Sequence, residues 1–182
     1  MSRVPDQLTL DTNAVCAYWR AHDQTPMADK RGPVVEKLLD LASQGLVTLA
    51  VTARIRHDIP KDPKASRINE LPEVGIAVTG SVTRLGQWAL DRDGLADRRF
   101  EAYYAKACAL LSERLPGRKP PDLRDWDHLQ AHMLQGRDVF LTWDTEIVCL
   151  ADKLKEESGL RAMSPEVYLR SREDRGSGEE AT

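Results

Sequence analysis

Strand-like and helix-like segments alternate along this chain, and that pattern predicts an α/β fold with a mainly parallel central sheet covered by helices on both faces. Three observations carry the prediction. Apolar runs of strand length stand at residues 7–10, 46–51 and 139–142. Between them lie segments whose apolar residues recur at helical spacing. An acid, Asp11 or Asp144, closes two of the strands, where parallel sheets place their sites.

Each element has its own justification. Residues 7–11 read as a strand ending in the turn-forming Asp11-Thr12-Asn13, and 14–22 as a short helix. Pro33 sits near the start of a second helix whose apolar positions are Val34, Val35, Leu38, Leu39, Leu41 and Ala42, and Gly45 stops it. After the strand at 46–51, Thr52 is expected to N-cap a helix carrying Ile55 and Asp58, which Pro60 and Pro63 end. Alternation at Val74, Ile76 and Val78 predicts short strands or an irregular excursion over 61–95. Residues 96–115 return to a helix. A further helix spans 125–135 and stops at Gly136, a strand follows at 139–142, and 145–158 reads as one helix stopped by Gly159. A short strand at 160–163 and a small helix from Pro165 to Leu169 complete the pattern. From Ser171 onward Ala181 is the only apolar residue, so a disordered tail is expected over 171–182. The organisation is a single domain at 1–170 with an atypical excursion at 60–120.

The 182 residues are 41% hydrophobic, enough for a core, and 30% charged with a net charge of −3. No global attraction to nucleic acid follows, so any such binding needs a local basic patch. Cys16, Cys108 and Cys149 are odd in number and widely spaced, which argues against a zinc site or a disulfide framework and predicts a reducing, cytoplasmic setting. Neither a signal peptide nor a membrane span is expected.

The candidate chemistry lies in four acids: Asp11, Asp58, Asp125 and Asp144. Carboxylates gathered at one sheet edge repel one another unless a divalent cation lies among them, and Mg²⁺ or Mn²⁺ suits oxygen ligands and phosphodiester chemistry. Each acid also has an ordinary reading, as a turn, a cap or a solvated helix end. Asp127 competes with Asp125 and is otherwise a solvated neighbour or an auxiliary acid. Glu146 can assist Asp144, and the Thr142 hydroxyl can orient a carboxylate. His128 and His132 are four apart on one helix face. The residues between them lack the Glu of a zinc-protease motif, so His128 is expected to steady Asp125 one turn away. Basic residues cluster at Arg54, Arg56, His57, Lys61, Lys64 and Arg67, and again at Arg114, Arg118, Lys119 and Arg124. Both groups adjoin a candidate acid and could meet a phosphate backbone. Trp126 and Trp143 neighbour two of the acids and could stack on bases or simply pack.

Leu10-Asp11-Thr12-Asn13, then Asp58, then Asp125, then Thr142-Trp143-Asp144 resemble the ordered motifs of the PIN-domain nucleases. The resemblance covers residues 6–58 and 122–169 and is absent over 60–120. It departs at the second acid, usually Glu and here the shorter Asp58. It implies a three-layer sandwich and an endoribonuclease in which Asp11, Asp125 and Asp144, with Asp58, hold Mg²⁺ or Mn²⁺. Asn13, Thr142 and His128 would support those ligands, and Arg54, Arg56, Lys61 and Lys64 would contact RNA. Many bacterial members of that family are toxins, so the resemblance allows an inhibitory antitoxin-like partner and a homodimer. The alternative is a non-catalytic PIN-like module that binds RNA or protein. A phosphotransfer enzyme with Asp11 as nucleophile would want a second Asp where Asn13 stands.

Overall fold

The apolar runs become strands, and the helical segments return the chain so that the strands lie parallel. In chain order the elements are β1 (Asp6–Leu10), α1 (Thr12–His22), α2 (Gly32–Ser43), β2 (Val47–Thr52), α3 (Ile55–Asp58) and a 3-10 helix (Pro63–Val74). Next come β3 (Ile76–Thr79), β4 (Val82–Thr83), β5 (Gly94–Leu95), α4 (Arg98–Arg114) and α5 (Leu123–Leu134). The chain ends with β6 (Val139–Leu141), α6 (Thr145–Cys149), α7 (Ala151–Ser158), β7 (Ala162–Met163) and α8 (Pro165–Glu179). The computed structural model describes residues 4–23, 30–59, 63–80, 82–83, 94–95, 98–114, 116–117 and 123–179. Of residues 63–65, 82–83, 94–95, 98–104, 111, 123–125 and 176–179 it describes the backbone alone.

The main sheet has five strands in the order β3-β2-β1-β6-β7, and every pairing in it is parallel. β4 and β5 pair with each other apart from it. Side chains alternate across the sheet. Leu8, Leu10, Leu49, Val51, Val139 and Leu141 enter one core cluster with Val15 and Trp19 of α1, Leu38 of α2 and Tyr168 of α8. Phe140 and Ala162 enter a second cluster with Leu129 of α5, Ile147 of α6 and Leu154 of α7. Two cores separated by one sheet mean that helices cover both faces, which is why strands such as Val139-Phe140-Leu141 are apolar at every position. The α/β expectation with a parallel sheet therefore holds.

The predicted stops at Gly45 and Gly159 work as expected: both adopt positive φ, 70° and 73°, and Gly159 closes α7 with its N–H on the Lys155 carbonyl. Three expectations need correction. Thr52 is not a helix cap. It is the buried last residue of β2, and α3 begins after Arg54 without a side-chain cap. The helix expected over 145–158 is two helices that meet at Leu150, where ψ is near 0°. The short strand expected from the alternation at Ile76 and Val78 is present as β3, and it joins the main sheet by pairing with β2 along Leu49–Thr52. The last helix does not stop at Leu169, and residues 171–179 are helical where a disordered tail was expected. Its anchor is tertiary: Asp6 Oδ2 accepts from the Tyr168 hydroxyl at 2.8 Å and from Arg172 at 3.2 Å, with Arg175 at 3.7 Å. Among the described residues no helix is long and apolar enough to cross a membrane.

Candidate active site

The chain leaves β1 towards β2 on one side, while β6 pairs on the other side of β1. This is the point where strand order reverses, and ligands of open parallel sheets bind at the carboxyl ends of such strands. Asp11 follows β1 there. Its backbone is extended (φ −72°, ψ 158°), its N–H reaches the Leu141 carbonyl at 3.0 Å, and its Oδ1 accepts the Thr12 N–H at 2.7 Å as the N-cap of α1. Asp144 follows β6 and N-caps α6, with Oδ1 accepting from the Glu146 and Ile147 amides at 2.8 and 3.0 Å.

Thr142 joins these two acids. Its hydroxyl donates to Asp11 Oδ2 at 2.6 Å and accepts the Asp144 N–H at 2.9 Å. One fully buried hydroxyl thus sets the position of Asp11 relative to the start of α6. Burial pushes the Asp144 carboxyl up, and the neighbouring Glu146 carboxylate adds to this. Against the amide hydrogen bonds, the net result is a rise to about 6.

Asp58 joins the group from the other side. Its Oδ2 accepts from the Thr12 hydroxyl at 2.9 Å and from His128 Nε2 at 2.6 Å. A carboxylate has no proton to give, so Nε2 donates. Nδ1 of the buried ring meets the Thr52 hydroxyl at 2.5 Å. Burial raises the Asp58 pKa, but His128, Thr12 and Arg54 outweigh it and hold the carboxyl below its usual range. Arg54 lies 3.6 Å from Asp58 Oδ1 and 3.5 Å from Asp127 Oδ2, with only 13% of its side chain exposed. A continuous hydrogen-bonded line therefore runs Asp144, Thr142, Asp11, Thr12, Asp58, His128, Thr52.

Several expectations change. His128 was expected to steady Asp125. The partners the structure gives it are Asp58, Thr52 and, at 3.4 Å, Thr12, while the Asp125 side chain lies outside the described residues. Asp127 is buried beside Arg54 and is not a solvated charge. Arg54 is largely buried between Asp58 and Asp127. Arg56 is exposed and donates to Asn69 at 3.2 Å. Lys61, Arg118 and Lys119 lie outside the described residues, as do the side chains of Lys64 and Arg124. Arg114 donates to the Cys149 carbonyl. Trp126 is core. His132 is buried with Nδ1 2.8 Å from the Thr9 hydroxyl, and burial, with Arg137 assisting, lowers its pKa to about 4. The two histidines of α5 thus answer two strand threonines.

The donors fit a hard divalent cation in kind. Asp11 and Asp144 carry carboxylates, the oxygen donors such a cation prefers; the Thr142 hydroxyl meets the Asp11 carboxylate and the Asp144 backbone N–H, and each carboxylate oxygen keeps a second lone pair beyond its capping bond. Asn13 adds a buried amide oxygen, Oδ1, with no hydrogen-bond partner. Among the described residues, no three His, Cys, Asp or Glu side chains gather closely enough to hold a metal ion. Of the three expected ligands, the side chains of Asp11 and Asp144 are described and that of Asp125 is not.

Sequence reasoning missed Thr52 as the partner of His128, because a Thr before an apolar helix reads as a cap. It also missed Arg31, whose guanidinium carbon stands 5.1 Å from the Trp143 ring centroid, and Glu166, which accepts from the Trp143 indole. No family model matches the chain, and no curated protein matches its sequence.

Proposed function

We propose that this chain is a metal-dependent nuclease with a PIN-like arrangement of acids, hydrolysing RNA phosphodiester bonds. The observation that supports the reading best is the shared Thr142 hydroxyl, which ties acids from two adjacent strands at the reversal of strand order. Asp11, Asp144 and Asp125 would hold Mg²⁺ or Mn²⁺. When bound, the cation would lower the pKa of a water and offset negative charge on the phosphate. The chain's own part is positioning. Thr142 fixes Asp11 and the entry of α6. Asp58 and His128 hold Thr12, and with it the first turn of α1 that carries the Asp11 cap. Asp58 acts here as a brace, which accommodates its short side chain. An inhibitory antitoxin-like partner, a homodimer and a cytoplasmic setting belong to the same reading.

A second reading, a non-catalytic module binding RNA or protein, draws on the consumption of Asp58 and Arg54 by internal ion pairs. Cleavage separates the two. Purified protein with Mn²⁺ should cut single-stranded RNA, EDTA should stop it, and Asp11→Asn should remove at least about two orders of magnitude of rate. Absence of cleavage, or full activity in Asp11→Asn, would sink the nuclease reading.

A further inference from the structure

We infer that Arg54 is a built-in counter-ion: its guanidinium balances Asp58 and Asp127, so that Asp58 is not a metal ligand and this edge takes one divalent cation, on the Asp11 and Asp144 side. The inference rests on the nuclease reading and sets the metal count that reading leaves open. Carboxylates brought together repel one another unless positive charge lies among them. At the Asp58 end of the acid group the chain supplies that charge itself.

Arg54 and Asp58 stand four residues apart across the one-turn helix α3, so their side chains meet on one face. Arg54 Nε lies 3.6 Å from Asp58 Oδ1, and Nη1 lies 3.5 Å from Asp127 Oδ2 on α5. Side-chain exposures of 13%, 19% and 5% for Arg54, Asp58 and Asp127 leave little water to screen these charges. Nε is buried without a hydrogen-bond partner, and the facing carboxylate compensates its charge. The other oxygen of Asp58 is filled: Oδ2 accepts from the Thr12 hydroxyl and from His128, which uses both of its lone pairs. A cation on the remaining Oδ1 would bind at about 2 Å, and so within about 6 Å of Arg54 Nε, where like charges disfavour it. The Asp11 and Asp144 end is different. Asp11 meets the Thr142 hydroxyl and the Thr12 amide, and Asp144 meets the Glu146 and Ile147 amides. These donors carry no net charge, so the negative charge at this end is left to an external cation.

The test titrates the full chain with Mn²⁺ by calorimetry and unfolds the metal-free protein in urea. Wild type should take one Mn²⁺. Asp58→Asn keeps an oxygen for Thr12 and His128, and should leave Mn²⁺ affinity within about threefold, where loss of a ligand would cost at least about tenfold. In urea, Arg54→Met should lower the midpoint, because it strands buried carboxylates. Adding Asp58→Asn to Arg54→Met should recover at least about half of that loss, a coupling that a packing role for Arg54 would not produce. Arg54→Lys returns the charge without the planar fork, so it should lose less than Arg54→Met and still take one Mn²⁺. Two Mn²⁺ ions in wild type, a tenfold loss of affinity in Asp58→Asn, or no recovery in the double variant overturns the inference, and RNA cleavage by wild type would leave the nuclease reading standing. If Arg54→Met does not fold, the wild-type count and Asp58→Asn decide. A wild type that neither binds Mn²⁺ nor cuts RNA overturns both.

Discussion

Asp144 has two duties that pull its protonation in opposite directions. As an N-cap it accepts two amide hydrogen bonds, which favour the charged form, yet burial and Glu146 disfavour that form more strongly and lift its pKa to about 6. The unfolded value is near 3.8. Between those values the folded state binds more protons, so this group's contribution to stability falls as pH rises towards 6. Asn keeps the capping oxygen and removes the charge. Asp144→Asn should therefore be more stable than wild type at pH 7.5, by on the order of 1 kcal/mol after allowance for solvent screening. The gain should vanish near pH 4, as urea unfolding at the two pH values will show. His132 has the opposite sign. Its folded pKa of about 4 lies below the ordinary 6.5, so the unfolded chain takes up a proton that the buried ring refuses. Stability conferred by the neutral ring is complete above pH 6.5 and is lost as pH falls towards 4, up to on the order of 3 kcal/mol. His132→Gln should abolish that loss. The two windows overlap, so each is read as the difference between wild type and its own variant. At this scale Asp11 and Asp144 were legible, because an acid closing an apolar strand is a local pattern. The Asp58–His128 pair was not, since its members are seventy residues apart and only the fold brings them together.

Helix starts and stops were mostly written in local chemistry, as Pro33, Gly45 and Gly159 show. Contacts between elements were not. α1 and α2 approach so closely that a Cβ on Gly32 would stand 2.2 Å from the Ala21 Cβ. Gly32 needs no positive φ, so the requirement is for space. Gly32→Ala should therefore destabilise by about 1–3 kcal/mol through overpacking, despite the better helix propensity of Ala. The urea midpoint checks it, and an unchanged or higher midpoint would mean that the two helices separate freely. α8 shows the same limit of local reading. Residues 171–179 carry no apolar stripe to mark a helix, and its described anchors, Arg172 and Arg175, meet Asp6 at the far end of the sequence. β3 was legible as a short strand from the alternation at Ile76 and Val78, but its place beside β2 was not.

Across the whole molecule, the parallel order β3-β2-β1-β6-β7 sends the carboxyl ends of all its strands to one edge. That single fact carries Asp11 and the Thr142–Asp144 turn to one place, although 131 residues separate Asp11 from Thr142. The alternation of strands and helices made the layer arrangement legible. The lateral order of the strands was not, because it depends on which helix crosses which face. The central claim is that the acids of this edge form a divalent-cation site. Mn²⁺ binding followed by isothermal titration calorimetry tests it without reference to any substrate. Wild type should bind Mn²⁺, and Asp11→Asn and Asp144→Asn should each weaken binding by at least about tenfold while remaining folded. Binding of equal strength in both variants, or no binding by wild type, would contradict the account.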